Sequence, residues 1–186
     1  MQRNRLDGLN VAIIVFNYFE QVEMTSPRQA LEQAGAQVTL ISPNSGPLTG
    51  MNHDVDKGDT FQVDMNLDQA NPNDFDALMV PGGTVNADNL RINPKAQNFA
   101  RQFDRGGKPI AAICHAPWLL ISSGLVKGRT LTSWPTIQDD IRNAGGNRVD
   151  QQVVQDRNWV TSRGPQDLEA FNPAMVSFFA QTLVRR

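Results

Sequence analysis

The chain has 186 residues and a net charge of −2, with 40% hydrophobic and 19% charged residues. This length and composition predict one globular domain with a sizeable core over residues 1–186. The charge balance gives no sign of a basic surface, so no specific nucleic-acid partner is expected. No apolar run is long enough to span a membrane, so no membrane partner is expected either. One cysteine cannot form an internal disulfide, and the first residues contain no apolar signal-peptide region, so we expect a cytoplasmic protein.

Apolar runs predict the strands of a mainly parallel sheet. Four of them occupy residues 9–16, 36–42, 75–80 and 109–113, a short strand is expected at 131–133, and 149–154 and 159–162 form an expected pair around a turn. Nearly continuous apolar runs are typical of strands that are buried on both faces. Helix signals alternate with the strands, and this alternation predicts a doubly wound α/β sandwich.

Helix boundaries follow from proline, glycine and apolar spacing. The first helix ends at Gly35 and has two possible starts: a cap at Ser26-Pro27, or Gln21 with a kink at Pro27. Asn93-Pro94 predicts the start of a helix that ends at Gly106-Gly107. Further helices are expected at 115–124, at 135–144 and from 164 onward, with an interruption at Pro173.

Residues 44–70 are polar and glycine-rich and interrupt the alternation. Lys57-Gly58-Asp59 is a turn signal between short alternating segments, so a small antiparallel hairpin off the main sheet is expected here. His53 and Asp54 lie in this segment beside further aspartates, which makes a metal site conceivable. Acidic turns of this kind are usually solvated, so no metal is predicted.

Cys114 directly follows the apolar run 109–113 and precedes a helix that begins near His115. The thiol therefore lies at a strand-to-helix turn on the carboxyl edge of the sheet, where open α/β folds place their sites. The pattern is that of a nucleophile elbow with Cys in the place of Ser, and the helix dipole favours a thiolate. The alternative interpretation is an inert core cysteine.

Two other strand ends carry chemically useful groups. Glu20 follows the first strand, and Pro81-Gly82-Gly83 follows the strand at 75–80. In a parallel sheet these ends share one edge, so an acid, backbone N–H donors and the thiol can meet there. This convergence favours a reactive cysteine.

Five motifs extend over almost the whole chain: FEQVEM (19–24), DALMVPGG (76–83), GKPIAAICHAPWLLISSGLVKGRTLTS (107–133), DDIRNAGG (139–146) and VTSRGPQDLEAF (160–171). Their combination resembles the PfpI-type intracellular protease family of the ThiJ/PfpI superfamily, which also includes the Parkinson-disease deglycase. The resemblance implies a flavodoxin-like sandwich related to class I glutamine amidotransferases.

The resemblance also implies roles for site residues. Cys114 would be the nucleophile, His115 its partner, and Glu20 the acid that hydrogen-bonds or protonates the sulfur. Backbone N–H groups of Gly83 and His115 would form an oxyanion hole. In oligomeric members an acid from the neighbouring subunit orients the histidine; Asp88 occupies that place, which implies a homodimer or a hexamer of dimers. No cofactor is implied, and the sequence has no glycine-rich phosphate fingerprint.

Other residues near these motifs have simpler interpretations. The three tryptophans, Trp118, Trp134 and Trp159, are expected in the core or at subunit contacts. Arg163 is expected to form an ordinary salt bridge, although an anionic substrate or an acid of another subunit is an open alternative. Ala116 stands where many relatives have glycine, so its methyl group is expected to narrow the pocket.

The resemblance leaves three functions open. The first is an enzyme of carbonyl stress, a glutathione-independent glyoxalase or a protein deglycase, with small carbonyl compounds or glycated proteins as partners. The second is an intracellular cysteine peptidase, and the third is a non-enzymatic redox sensor or a holdase for unfolded proteins. A small site without a peptide-binding insertion favours small carbonyls, so we predict the first function.

Overall fold

A computed structural model describes residues 5–184 of the chain. Its strands are β1 (Asn10–Ile14), β2 (Gln37–Ser42), β3 (Leu48–Asn52), β4 (Asp56–Phe61), β5 (Met65–Asn66), β6 (Ala77–Val80), β7 (Ile110–Ile113), β8 (Thr130–Leu131), β9 (Asn147–Arg148), β10 (Val153–Asp156) and β11 (Trp159–Ser162). Its α-helices are α1 (Gln21–Gln33), α2 (Thr84–Ile92), α3 (Pro94–Arg105), α4 (Pro117–Ser122), α5 (Gln138–Asn143) and α6 (Leu168–Val184). None of the helices in this part of the chain is long and apolar enough to cross a membrane.

The main sheet has the strand order β10-β11-β7-β6-β1-β2-β5. All neighbours are parallel except the edge pair β10–β11. From the central strand β1 the chain first builds outward through β2, and it later returns to the other side of β1 with β6. Ligand sites of open α/β sheets lie outside the carboxyl ends of the strands at such a reversal. The predicted doubly wound, flavodoxin-like α/β fold is confirmed.

The sheet is covered on both faces, which explains the continuous apolar runs. Along β1, Val11 and Ile13 belong to the core beneath α1 and α6, whereas Ala12 and Ile14 belong to the core beneath α2 to α5. Side chains of a strand alternate between faces, so every residue of a doubly covered strand needs an apolar side chain. Each buried aliphatic side chain of this size contributes about 2 kcal/mol.

Two helices differ from the sequence expectation. Of the two possible starts, α1 uses Gln21, and it continues through Pro27. Helix α2 was not predicted. Its buried residues are Asn86, Ala87 and Leu90, so its apolar stripe is too narrow to show helical spacing.

The predicted hairpin is formed by β3 and β4, which make a separate two-stranded sheet. Met51 of β3 also forms an isolated parallel bridge with Glu20. Its turn was predicted wrongly: the chain reverses between Asn52 and Asp56, and Lys57-Gly58-Asp59 lies inside β4. Gly58 lies close to Gln21: a Cβ atom there would collide with the Gln21 side-chain oxygen, so that side chain would have to move and give up its bond to the Asp59 N–H. The glycine that suggested a turn therefore allows the hairpin to pass over the start of α1.

Candidate active site

Cys114 forms the predicted elbow between β7 and α4. Its φ of 63° is left-handed, which is rare for a residue other than glycine and marks local strain. The turn is held by the backbone, since Ala116 N–H donates to Ile113 and Trp134 N–H donates to Cys114. The thiol is 5% exposed. The residue is thus fixed at the carboxyl edge of the sheet, one strand away from the reversal.

The acid beside the thiol is Glu23, and the expectation that Glu20 contacts the sulfur is wrong. Glu23 is fully buried, and its Oε2 accepts the N–H of Gly82 at 2.8 Å. Its Oε1 has no hydrogen-bond partner among the described residues. The Glu23 carboxyl group also interacts with the Cys114 thiol. Glu20 instead accepts the backbone N–H groups of His53 and Asp54, at 2.9 and 3.0 Å.

The start of α1 decides between these two acids. Glu20 occupies the N-cap position and Glu23 the first turn. Side chains on a helix lean toward its N-terminus, so Glu23 reaches back over the strand ends. The motif at 19–24 contains both acids, and only the helix start, which the sequence left open, distinguishes them.

The thiol and Glu23 influence each other's ionisation. Burial raises the pKa of Glu23 to about 8, against the hydrogen bonds with Cys114 and Gly82. Burial, together with the charge of ionised Glu23, raises the pKa of the Cys114 thiol well above its usual value, while the N–H groups of Gly83 and His115 lower it. The helix start alone therefore does not give the thiolate expected from the sequence. Below about pH 8 Glu23 is protonated, so its O–H can donate to the sulfur instead of repelling a thiolate.

His115 lies between the thiol and two aromatic rings. Its Nδ1 is 3.1 Å from the Cys114 sulfur, and its Nε2 is 3.5 Å from the hydroxyl of Thr136. Trp118 meets the imidazole edge-on and Trp134 stacks on it. Burial lowers the pKa of His115 and the charge of Asp54 opposes this, so the imidazole is neutral at pH 7 and can accept a proton.

A cavity of about 540 Å³ opens over the thiol. Its lining residues are Glu20, Glu23, His53, Asp54, Thr84, Cys114, His115, Trp118, Trp134, Thr136 and Pro165. Trp118 and Trp134 form an apolar wall of the cavity, and both also pack against the hydrophobic cores as partly buried side chains. Trp159 is buried in the core as expected. Within residues 5–184 no group of three His, Cys, Asp or Glu residues is arranged to hold a metal ion.

The glycine turn after β6 brings backbone donors to the sulfur. The N–H groups of Gly83 and His115 both interact with it, and these are the two donors expected for an oxyanion hole. Gly83 has φ 93°, and a Cβ atom there would lie 2.5 Å from the backbone nitrogen of Glu20, so no other residue fits. Asn86, buried in α2, fixes the turn by donating to the carbonyls of Pro81 and Gly82.

Three other predicted residues lie outside this arrangement. Asp88 is exposed on α2 and does not line the cavity described above, so its contact with a neighbouring subunit stays a prediction. Ala116 is 1% exposed and packs in the core, so its methyl group does not narrow the pocket. Arg163 forms salt bridges with Asp167 and Asp150, as the ordinary interpretation predicted.

Fold and site together define a cysteine-centred α/β protein of the doubly wound class. Residues 9–177 match the model of the DJ-1/PfpI family, and the chain belongs to that family. A deglycase of Pyrococcus horikoshii is 43% identical over 88% of this chain and 95% of its own length. A candidate cysteine protease of Bacillus subtilis, YraA, is 41% identical over 87% of this chain and 93% of its own. The crystal structure of Drosophila melanogaster DJ-1beta superposes with a TM-score of 0.83 at 27% identity, over 95% and 94% of the two chains.

Proposed function

We propose that the chain is an enzyme of carbonyl stress that converts 2-oxoaldehydes such as methylglyoxal, free or as early adducts on proteins, into 2-hydroxy acids. The observation that carries this proposal is the thiol–imidazole contact of 3.1 Å in a small cavity that also contains a buried acid. The similarity to an archaeal deglycase supports it. A cytoplasmic location and self-association through Asp88 are parts of the same proposal.

The first step joins the thiol to the aldehyde. The Cys114 sulfur attacks the aldehyde carbon of methylglyoxal, forming a C–S bond while the carbonyl π bond breaks. The thiol proton passes to Nδ1 of neutral His115. The new alkoxide, facing the N–H donors of Gly83 and His115, takes that proton back from the imidazolium, which gives a hemithioacetal and a neutral His115 again. Protonated Glu23 holds the sulfur by its O–H and needs no change of charge.

The second step is an internal oxidation and reduction. A base, His115 in this proposal, removes the proton from the carbon bound to sulfur, and a proton is returned to the neighbouring carbon. The aldehyde carbon becomes a thioester and the ketone carbon an alcohol, so no external oxidant is needed. Water then cleaves the thioester, releasing lactate and the free thiol.

The test is lactate formed over many turnovers without glutathione. Cys114→Ala should abolish turnover because the covalent bond is lost, and His115→Ala should cost less because Glu23 and the backbone donors remain. Loss of aldehyde alone is insufficient, since thiols and glyoxals form adducts spontaneously. A yield of no more than one lactate per Cys114 overturns the proposal.

A cysteine peptidase is the second candidate, because the same thiol, imidazole and N–H donors are what amide attack requires. The Bacillus subtilis relative supports it by its name. Cleavage of a fluorogenic peptide that depends on Cys114, with no catalytic lactate, would establish this candidate. If neither product forms, the redox sensor or holdase function is left.

A further inference from the structure

The tip of the β3–β4 hairpin is strained at the cavity wall. His53 and Asp54 have φ values of 56° and 61°, so two successive residues other than glycine adopt the left-handed conformation. Such backbone persists only where its surroundings hold it, and it is concentrated at functional sites. Both residues line the cavity over Cys114.

Two carboxylates hold this tip. The Glu20 carboxylate, 6% exposed, accepts both strained N–H groups, at 2.9 Å from His53 and 3.0 Å from Asp54. The Asp54 carboxylate in turn accepts the backbone N–H of Thr84 at 3.0 Å and its hydroxyl at 2.8 Å. The hairpin is therefore tied at one side to the start of α1 and at the other to the start of α2.

These hydrogen bonds link the hairpin tip, the start of α1 and the start of α2 into a closed ring, which includes the Gly83 N–H that faces the Cys114 sulfur. Glu20 N–H donates to the carbonyl of Gly82 at 3.2 Å, which joins the start of α1 to the glycine turn. The N-cap of α2 is Gly83, which has no side chain to cap the helix, and Asp54 supplies that carboxylate from the hairpin. The Gly83 N–H that faces Cys114 thus lies next to the peptide that Asp54 fixes.

We propose that Glu20 and Asp54 are positioning residues that act as a unit: through Thr84 they hold the Gly83 N–H against the Cys114 sulfur and its adducts. The proposal rests on the proposed function in that the adduct is formed by Cys114. It gives Glu20 a role other than proton transfer, since both of its oxygens are engaged by backbone N–H groups.

The experiment compares wild type with Asp54→Ala, Asp54→Asn and Glu20→Gln. It measures the pH dependence of Cys114 alkylation by iodoacetamide, followed by intact mass, and kcat and KM for methylglyoxal. We expect Asp54→Ala to lose about tenfold in kcat, with KM little changed, and to move the alkylation midpoint up by about one pH unit. The reason is that the hydrogen bond from the Gly83 N–H to the charged sulfur or adduct weakens.

Asp54→Asn should remain within about threefold of wild type, since its carbonyl oxygen can still accept the Thr84 N–H. Glu20→Gln should resemble Asp54→Ala, and the double variant should lose little more than either single one.

Asp59→Ala is the matched control, because Asp59 bonds the exposed part of the same hairpin to Gln21, away from Thr84. It should stay within about twofold of wild type in all measurements. Asp54→Ser, too short to reach Thr84, replaces Asp54→Ala if that variant does not fold.

Three results would overturn the proposal: a truncation of Asp54 that behaves as wild type, an Asp54→Asn variant as impaired as the truncation, or an Asp59→Ala variant equally impaired. The second result would mean that Asp54 acts by its charge on His115, and the third that any loosening of the hairpin suffices. If wild type forms no lactate, the proposed function fails, and the alkylation profiles alone still decide the positioning role.

Discussion

Glu23 controls the thiol in opposite ways on the two sides of its pKa of about 8. Below that pH its O–H donates to the sulfur, and above it the carboxylate repels a thiolate. In Glu23→Gln the amide is a weaker donor without charge. We therefore expect the variant to be alkylated more slowly than wild type at pH 6–7 and faster at pH 9–10, so that the two rate–pH profiles cross near pH 8.

The single thiol makes this profile direct to measure by iodoacetamide labelling and intact mass. Glu32→Gln is a suitable control, because Glu32 is an exposed residue of the same helix, paired with Arg28. Its profile should overlay that of wild type. Parallel profiles for wild type and Glu23→Gln, without a crossing, would contradict the assigned contact between Glu23 and the sulfur.

The same residue makes stability depend on pH. With a folded pKa raised from 4.5 to about 8, Glu23 keeps its proton in the folded chain at pH values where the unfolded chain has lost it. Its contribution is fully present below pH 4.5 and is lost as the pH rises toward 8, by about 1.4 kcal/mol per unit. Wild type should therefore lose on the order of 3 kcal/mol of unfolding free energy between pH 5 and 7.5 through this residue. Glu23→Gln has no ionisable group there and should not show this loss. Urea unfolding at the two pH values measures it, and an equal pH dependence in both proteins would refute it.

Among the elements, a buried arginine joins α3, β8 and the β10–β11 turn. Arg129 is 5% exposed, bonds Asp104 and Asn158, and lies 4.0 Å above the ring of Trp159. Arg129→Ala should cost about 3 kcal/mol of unfolding free energy, because it leaves Asp104 without its cation. This network lies away from the cavity, so kcat at 25 °C should be unchanged. Arg142→Ala, which removes an exposed ion pair with Asp139, should cost under about 0.5 kcal/mol in the same denaturation experiment.

The elements that the sequence predicted well are those whose pattern is set by burial. Strands β1 and β7 have apolar residues throughout because both faces are covered, and α3 has a strong apolar stripe. Helix α2 and the hairpin turn were missed because other forces shape them. Asp54 caps α2 from a distant segment. His53 and Asp54 have left-handed backbone, although neither is the glycine that usually indicates such a turn in a sequence.

The site residues also divide into those that the sequence predicted and those that it did not. Cys114, His115 and the glycine turn were predicted because strand ends of a parallel sheet meet at one edge. The choice of Glu20 over Glu23 was wrong because it depends on where α1 begins, and the sequence allowed two starts, at Gln21 and at Ser26-Pro27. Asp54 and Thr84 could not be placed, since their contact joins segments 30 residues apart in sequence.

For the whole molecule, we propose that α2 lies at a subunit interface. Val85 and Ile92 are 43% and 74% exposed, and their helical spacing puts them on the same side of α2 as Asp88. An exposed apolar pair around an acid fits the predicted contact of Asp88 with His115 of another subunit. Sedimentation should show no monomer at micromolar concentration, and Ile92→Asp should produce monomer with reduced turnover.

The control for this prediction is Asn98→Asp, which adds the same charge at an exposed position of α3. It should leave the sedimentation coefficient and turnover unchanged. A wild-type monomer with full activity would exclude a shared site.

The β3–β4 hairpin, finally, gives the protein a part that we expect to open at a lower temperature than the rest of the fold. β3 and β4 form a separate two-stranded sheet outside the seven-stranded one. Backbone hydrogen bonds from Tyr18 to Thr49 and from Met51 to Phe19, with side-chain bonds to residues 17, 21 and 84, hold it near the cavity. Its contribution to the core beneath α1 and α6 is limited to Leu48 and the partly buried Phe61. We therefore expect it to detach while the rest of both cores stays packed, in a sub-global opening that costs less than complete unfolding. Warming should abolish turnover at a temperature where the circular dichroism spectrum is still native, and cooling should restore the turnover.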